Sequence, residues 1–405
     1  MGTFFYITRL KYALLILNSL LISNQLIETM ELCDYINQAK ELHSILLNYI
    51  DDDCDFSTIE KTFLLQKYHE NIDELREFIY MILIICNNRN RKNNFFQKIE
   101  KIILYLKDDI KRFFSDDEIF QLFESNKRIL LFLFQNNFIT IDNSIVDMIT
   151  QKNKEFINFF YLEIKGKIDK ETESSISNEL LKYDQNIFNT FEENRQNGEN
   201  DSYICKLIQQ DLIIEFIQYV NKTNYQISAV INSSLFETNS FLLEQQPTLI
   251  EYAAFYGSIQ IFQYLLMNNV ELSPSLWLFA IHGRNAELIH LLEQIRLIPS
   301  DKSYYKCFEE SIKCHHNEIA HYIQENLINK NAFLTDSKFD PFFKDNEFSY
   351  GFHYFNYEFF PKKANYRFTI HYACKYGYLT IVKLFSAKND LKTKEEIIIS
   401  KKTLM

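Results

Sequence analysis

The chain has 405 residues, and its 54 acidic against 43 basic side chains give a formal net charge of −11. That balance argues against a nucleic-acid partner, because affinity for phosphates rests on clustered Lys and Arg. Seven Gly and five Pro leave few breakers in a chain that is 47% hydrophobic. Helices joined by Asn- and Asp-rich turns are therefore expected over strand-and-turn architectures, and the fold class is all-α.

In chain order, residues 1–29 place Arg9 and Lys11 ahead of an apolar run at 12–22. This is the layout of a secretory signal, but no small-residue cleavage site follows and the run is short for a membrane span. A helix packed on the body, or a true start at Met30, is preferred over secretion. Position 6 is Tyr6, not the Ser or Thr that the myristoylation motif carries there. The expectation is a cytoplasmic protein with no stable membrane span.

Residues 30–165 read as a helical N-terminal region, with helices at 32–49, 57–86, 95–114, 116–134 and 144–164. The apolar run 129–134 is closed by Asn136 and Asn137, the form of a degenerate helix-and-turn repeat. The most basic stretch, 89–92, reads as a solvated loop. Residues 166–200 read as a polar linker, with 192–200 polar throughout.

Residues 201–330 carry a repeated pattern. TLIEYAAFYGSIQIFQYL (248–265) reappears as FTIHYACKYGYLTIVKLF (368–385), and two further copies are marked by Ala280 and Ser311. A degenerate copy ends at Phe216, Ile217 and Val220. The small-residue markers Ala253, Ala280, Ser311 and Ala373 are spaced by 27, 31 and 62 residues. Each copy reads as two short antiparallel helices: the small residue admits a close neighbour, Gly257 or Gly377 ends the first helix, and Ile261, Phe262 and Leu265 are buried by the second. Thr248 and Glu251 have capping-box spacing, and Pro274 with Ser275 is a weaker start signal. One pair cannot bury its apolar face alone, so the copies must stack. Residues 331–366 read as an aromatic-rich insert, an ordered loop without helical periodicity. The last repeat and a tail fill 367–405.

The run from Phe368 to Phe385 resembles the ankyrin repeat, with His371, Ala373, Gly377, Ile381 and Val382 at matching positions. The runs 250–262, 274–283 and 310–319 look like an ankyrin-associated domain of unknown function found in large protozoan protein families. The Thr-Pro pair of the ankyrin pattern is missing. The resemblance covers about residues 201–385 and implies a helical solenoid of degenerate ankyrin-type pairs. It also implies a concave binding surface at Phe255 and Tyr256, His282 and Gly283, Lys313 and Cys314, and Lys375 and Tyr376. Exposed aromatic side chains at such sites make binding anchors.

The search for chemistry is mostly negative: no Gly-rich phosphate loop, GxSxG, HExxH or Cys-x-x-Cys pair is present. The seven cysteines, at 33, 54, 86, 205, 307, 314 and 374, have no framework spacing and fit a reducing compartment. Cys307, Cys314, His315, His316 and His321 offer thiolate and imidazole donors within fifteen residues, but the repeat register puts Cys314 to His316 at a turn and Cys307 on a helix, so no metal and no cofactor is expected. Trp277 and His371 read as structural. The functional expectation is a non-catalytic scaffold or adaptor for an unidentified protein partner. The rivals are an enzyme with its site in the N-terminal helices and a secreted or surface interaction protein.

Overall fold

The computed structural model describes residues 30–51, 55–66, 68–90, 94–328, 341–361 and 366–385. The apolar leader and the Lys-containing tail lie outside these. Among the described residues the regular elements are helices, with no strand beyond an isolated bridge between Val230 and Thr248. No helix among them is long and apolar enough to cross a membrane. The described residues divide into two compact units, one within Met1–Met81 and Ser337–Met405 and the other within Ile82–Asp336.

The first unit opens with α1 (Met30–Asp51), α2 (Phe56–Gln66) and α3 (Ile72–Asn88), the unit boundary falling inside α3. The second continues with α4 (Phe95–Tyr105), α5 (Lys107–Phe113), α6 (Asp116–Phe123), α7 (Lys127–Gln135), α8 (Asn143–Thr150), α9 (Lys154–Phe159) and α10 (Tyr161–Ile164). The helices expected at 57–86, 95–114, 116–134 and 144–164 are thus each broken. Caps account for two of the breaks: Asn126 accepts from the amide of Ile129 at 3.0 Å, and Asn153 from that of Phe156 at 2.9 Å. Each side chain satisfies an amide that a new helix start orphans, so a break costs little there.

The expected linker is instead two helices, α11 (Lys170–Tyr183) and α12 (Ile187–Asn197). Their polar composition hides two buried pairs at i,i+4, Ile176 with Leu180 and Ile187 with Phe191. Burying each such side chain contributes about 1.5–3 kcal/mol, enough to dock a helix that is otherwise polar. Arg195, 1% exposed, ties α12 inward through the Phe159 carbonyl at 3.0 Å and Glu163 at 2.6 Å.

The rest of the second unit consists of α13 (Tyr203–Gln209), α14 (Ile213–Thr223), α15 (Ser240–Glu244), α16 (Leu249–Tyr256), α17 (Ile259–Met267), α18 (Leu276–His282), α19 (Ala286–Gln294), α20 (Tyr305–Lys313) and α21 (Asn317–Tyr322), closed by a π turn at Ile323–Ile328. Four helix pairs recur here, α13–α14, α16–α17, α18–α19 and α20–α21, and the first helices pack in series, α13 on α16, α16 on α18, and α18 on α20. Asp211, Gly257, Arg284 and His315, each following the first helix of its pair, have φ of 53, 58, 47 and 55°. Ala253 and Ser311 are fully buried, and their carbonyls accept the closing bonds from Ser258 at 2.8 Å and His316 at 3.0 Å. The Thr248–Glu251 capping box forms as its spacing predicts. Ser275 makes no cap and hydrogen-bonds Glu251 instead. Trp277 is core, its indole N–H donating to the Leu297 carbonyl at 2.7 Å.

The first unit resumes with α22 (Pro341–His353), a 3-10 turn at Tyr357–Phe359, α23 (Tyr366–Tyr376) and a helix α24 over residues 379–385. The aromatic stretch expected to be a loop is therefore partly helical. Its rings form the core of this unit: Phe352 stacks on Phe360 at 4.1 Å and Phe355 on Tyr378 at 4.6 Å. Gly377 has φ 86° and the Tyr378 amide bonds to the Ala373 carbonyl at 2.9 Å, the same closure as in the other unit. His371 is exposed, with its ring edge-on to Tyr372.

Candidate functional site

Three of the first helices in the second unit end at one edge, because successive copies stack with the same direction. Their last carbonyls lack helical partners and carry the negative end of each helix dipole. Those of Phe255 and Gly283 accept from the Asn90 side-chain amide, each at 3.3 Å. Cys314 and His315 accept from the Arg89 guanidinium, at 2.8 Å from Nε and 2.6 Å from Nη2. Arg89 is 3% exposed, and Asn239 holds its carbonyl at 3.1 Å. The solvated loop expected at 89–92 is thus, at Arg89, a buried plug; residues 91 and 92 lie outside the described residues.

This plug corrects the expected binding surface. Phe255, Tyr256, His282 and Cys314 are buried, between 0 and 3% exposed. Phe241 of α15 stacks on the His282 ring at 3.8 Å and lies parallel to Phe255, while Tyr256 donates to Glu199 at 3.2 Å. Gly283 is half-buried, and a Cβ there would fall 2.3 Å from the Ala254 carbonyl oxygen. Lys313 is half-buried against Glu310 at 3.0 Å. In the other unit Lys375 is exposed, its ammonium over the Tyr376 ring, and half-buried Tyr376 stacks on His353 at 4.9 Å and meets Ser349 at 3.0 Å. Of these eight positions only Lys375 keeps the exposure that the repeat register implied.

Beneath the plug lies a titratable cluster. His282 at the end of α18 faces Glu310 on α20, Nε2 to Oε1 at 2.9 Å, and Cys314 in the turn after α20, with Sγ 3.4 Å from Nδ1. Nδ1 also meets the Asn88 carbonyl oxygen. Burial pushes the Cys314 thiol well above its usual range. Glu310 is held down at about 2 in spite of its burial, because His282 and Lys313 hydrogen-bond it. His316 is buried, and burial and the Arg89 charge hold it well below the usual imidazole range. Of the Cys and His donors grouped from sequence, only Cys314 joins this cluster. Cys307 is buried on α20 with its thiol pushed up by burial, and His315 is the left-handed turn residue. Glu310 was missed and His282 was expected only as a binding-surface position, because the two sit in different repeat copies; their positions beside the Ala280 and Ser311 markers were the available signal.

A second polar site lies in the first unit, a cleft of about 500 Å³ lined by Glu31, Asp34, Gln38, Glu74, Thr380 and Lys383 among others. Nearby, Glu77 is 3% exposed and accepts from the Tyr35 hydroxyl and, at 3.2 Å, from the Thr380 amide. Burial raises its carboxyl to about 8 and that of half-buried Glu74 to about 6.

No protein-family model, no curated protein and no solved structure matches this chain.

Proposed function

We propose that the chain is a non-catalytic, cytoplasmic scaffold or adaptor that binds a protein partner through ankyrin-like helix pairs. One observation carries the reading: the helix pairs share a left-handed turn residue at one register position, and in the second unit their first helices pack in series. Such stacks are assembled for surface, and their chemistry is that of the side chains displayed. Because Arg89, Asn90 and Phe241 fill the inner edge of three copies, recognition falls first to exposed Lys375 and the half-buried Tyr376 beside it. The test uses the full chain as bait, with captured proteins identified by mass spectrometry. Lys375→Glu with Tyr376→Ala should weaken capture about tenfold or more, as loss of an aromatic anchor commonly does. A partner held equally well by this double variant would move the site elsewhere.

The cleft in the first unit favours a second reading, an enzyme using Glu74. Clefts with perturbed carboxyls are where acid–base chemistry is found. A cationic or amine ligand that raises the thermal stability of the wild type, and not of Glu74→Gln, would support it over the scaffold reading.

A further inference from the structure

We propose that the cleft of the first unit binds a linear polyamine, a chain of methylenes carrying separated ammonium groups. The inference shares that cleft with the enzyme reading above but takes no step from its chemistry. Glu31 and Asp34 lie on adjacent turns of α1, so both carboxylates reach the same cleft. Glu74 on α3 and Thr380 and Lys383 on α24 line it from the other elements. Its volume of about 500 Å³ is that of a small-molecule site.

The negative charges in the cleft are unanswered. Lys383 is engaged by the Asp73 carboxylate, which Arg76 also meets at 3.5 Å. Among the described residues no ion pair reaches Glu31, Asp34 or Glu74. Glu74 is half-buried with its carboxyl raised to about 6 by burial, so at neutral pH it is charged and lacks a counter-ion. The hydrogen bond from Asn71 at 2.7 Å does not neutralise it. A carboxylate partly withdrawn from water gains more from an arriving cation than one in bulk solvent does.

Thr380 points the same way independently. It is 7% exposed, and its hydroxyl, beside Glu77 but outside hydrogen-bond geometry, has no partner among the described residues. A hydroxyl oxygen accepts as well as donates, so an ammonium N–H entering the cleft would satisfy it.

The spread of the charges selects the ligand. Among the described residues the cleft gathers no three ligand atoms within reach of one metal ion. Separate ammonium groups on a flexible chain suit separate carboxylates, and a triamine brings three charges to three. Tyr35 and Leu384 in the lining offer apolar surface to the methylenes.

Spermidine titrated into the full-length chain at neutral pH and low ionic strength should give saturable one-to-one heats with a micromolar dissociation constant. Glu74→Gln, which keeps the oxygen facing Asn71, and Glu31→Gln with Asp34→Asn should each weaken binding about tenfold, and Thr380→Val about threefold. Mg2+ at matched ionic strength should not displace the ligand. Absence of saturable heat in the wild-type chain overturns the proposal without any variant. Unchanged affinity in the carboxylate variants overturns it too, as does displacement by Mg2+, the mark of diffuse attraction to an acidic surface. Trilysine bound more tightly than spermidine would make the occupant a basic protein segment instead. Spermidine bound and recovered unchanged upholds this inference while counting against an enzyme acting on amines, whereas failure to bind spermidine leaves that enzyme free to take another cationic substrate.

Discussion

Glu77 should make the first unit less stable as pH rises, the reverse of an ion-paired carboxylate. Its folded value of about 8 lies above the ordinary 4.5 because burial disfavours the charge more than the Tyr35 and Thr380 hydrogen bonds favour it. Below the unfolded value both states hold the proton and nothing is lost. Between 4.5 and 8 the unfolded chain gives up a proton that the folded chain keeps, so stability falls by about 1.4 kcal/mol per pH unit. By pH 8 the loss is on the order of 4 kcal/mol, and it levels off above that. Glu74, raised to about 6, adds a smaller term of the same sign, screened because it is only half-buried. Glu77→Gln mimics the protonated acid and keeps an oxygen for the Thr380 amide. Urea unfolding followed by circular dichroism from pH 4.5 to 9, wild type minus variant, isolates the one group. The two curves should meet near pH 4.5 and separate by several kcal/mol at pH 9, with the variant the more stable. Curves that run parallel across that range would refute the buried, uncompensated carboxyl.

Three further outcomes test the second unit. Arg89→Ala strips donors from the Cys314 and His315 carbonyls and should cost about 3 kcal/mol or more, with Arg89→Lys intermediate; unchanged urea midpoints for both would mean the plug contributes nothing. Ala253→Leu should cost roughly 1–3 kcal/mol by forcing neighbouring first helices apart, read as a fall in the thermal midpoint. Gly283→Ala should cost a similar amount because the new methyl meets the Ala254 carbonyl, and an unaltered midpoint would remove that close approach.

The repeated part of the fold was legible in the sequence because its signals are local. Gly257 and Gly377 mark left-handed turns, Thr248 and Glu251 mark a helix start, and the small residues give the spacing. The register even extends to Arg284 and His315, which take the same φ without being glycine, something composition cannot announce. The site was much less legible. Arg89 reads as a surface charge from its neighbours, and its acceptors are 225 and 226 residues away. Glu77 meets Thr380 across 303 residues, so no local pattern could have shown that this carboxyl is buried. At residues 166–200, polar residues outnumbered apolar ones, and the i,i+4 pairs Ile176–Leu180 and Ile187–Phe191 were the overlooked evidence of docking.

The buried plug follows from the same geometry that makes the repeat. Helices stacked with one direction bring their carboxyl ends, and hence their unpaired carbonyls, to one edge. In a binding repeat that edge is left for a partner or for water to satisfy. Here the carbonyls of Phe255, Gly283, Cys314 and His315 are answered from within the chain, by the amide of Asn90 and the guanidinium of Arg89. A guanidinium is the fitting choice, since its fork reaches two carbonyls at once and its charge faces the negative helix ends. Releasing it would leave buried acceptors unpaired, a cost of about 1–3 kcal/mol for each. A partner entering at this edge would therefore have to supply equivalent donors before it gained anything, which is why exposed Lys375, with half-buried Tyr376 beside it, is the better place to look for one.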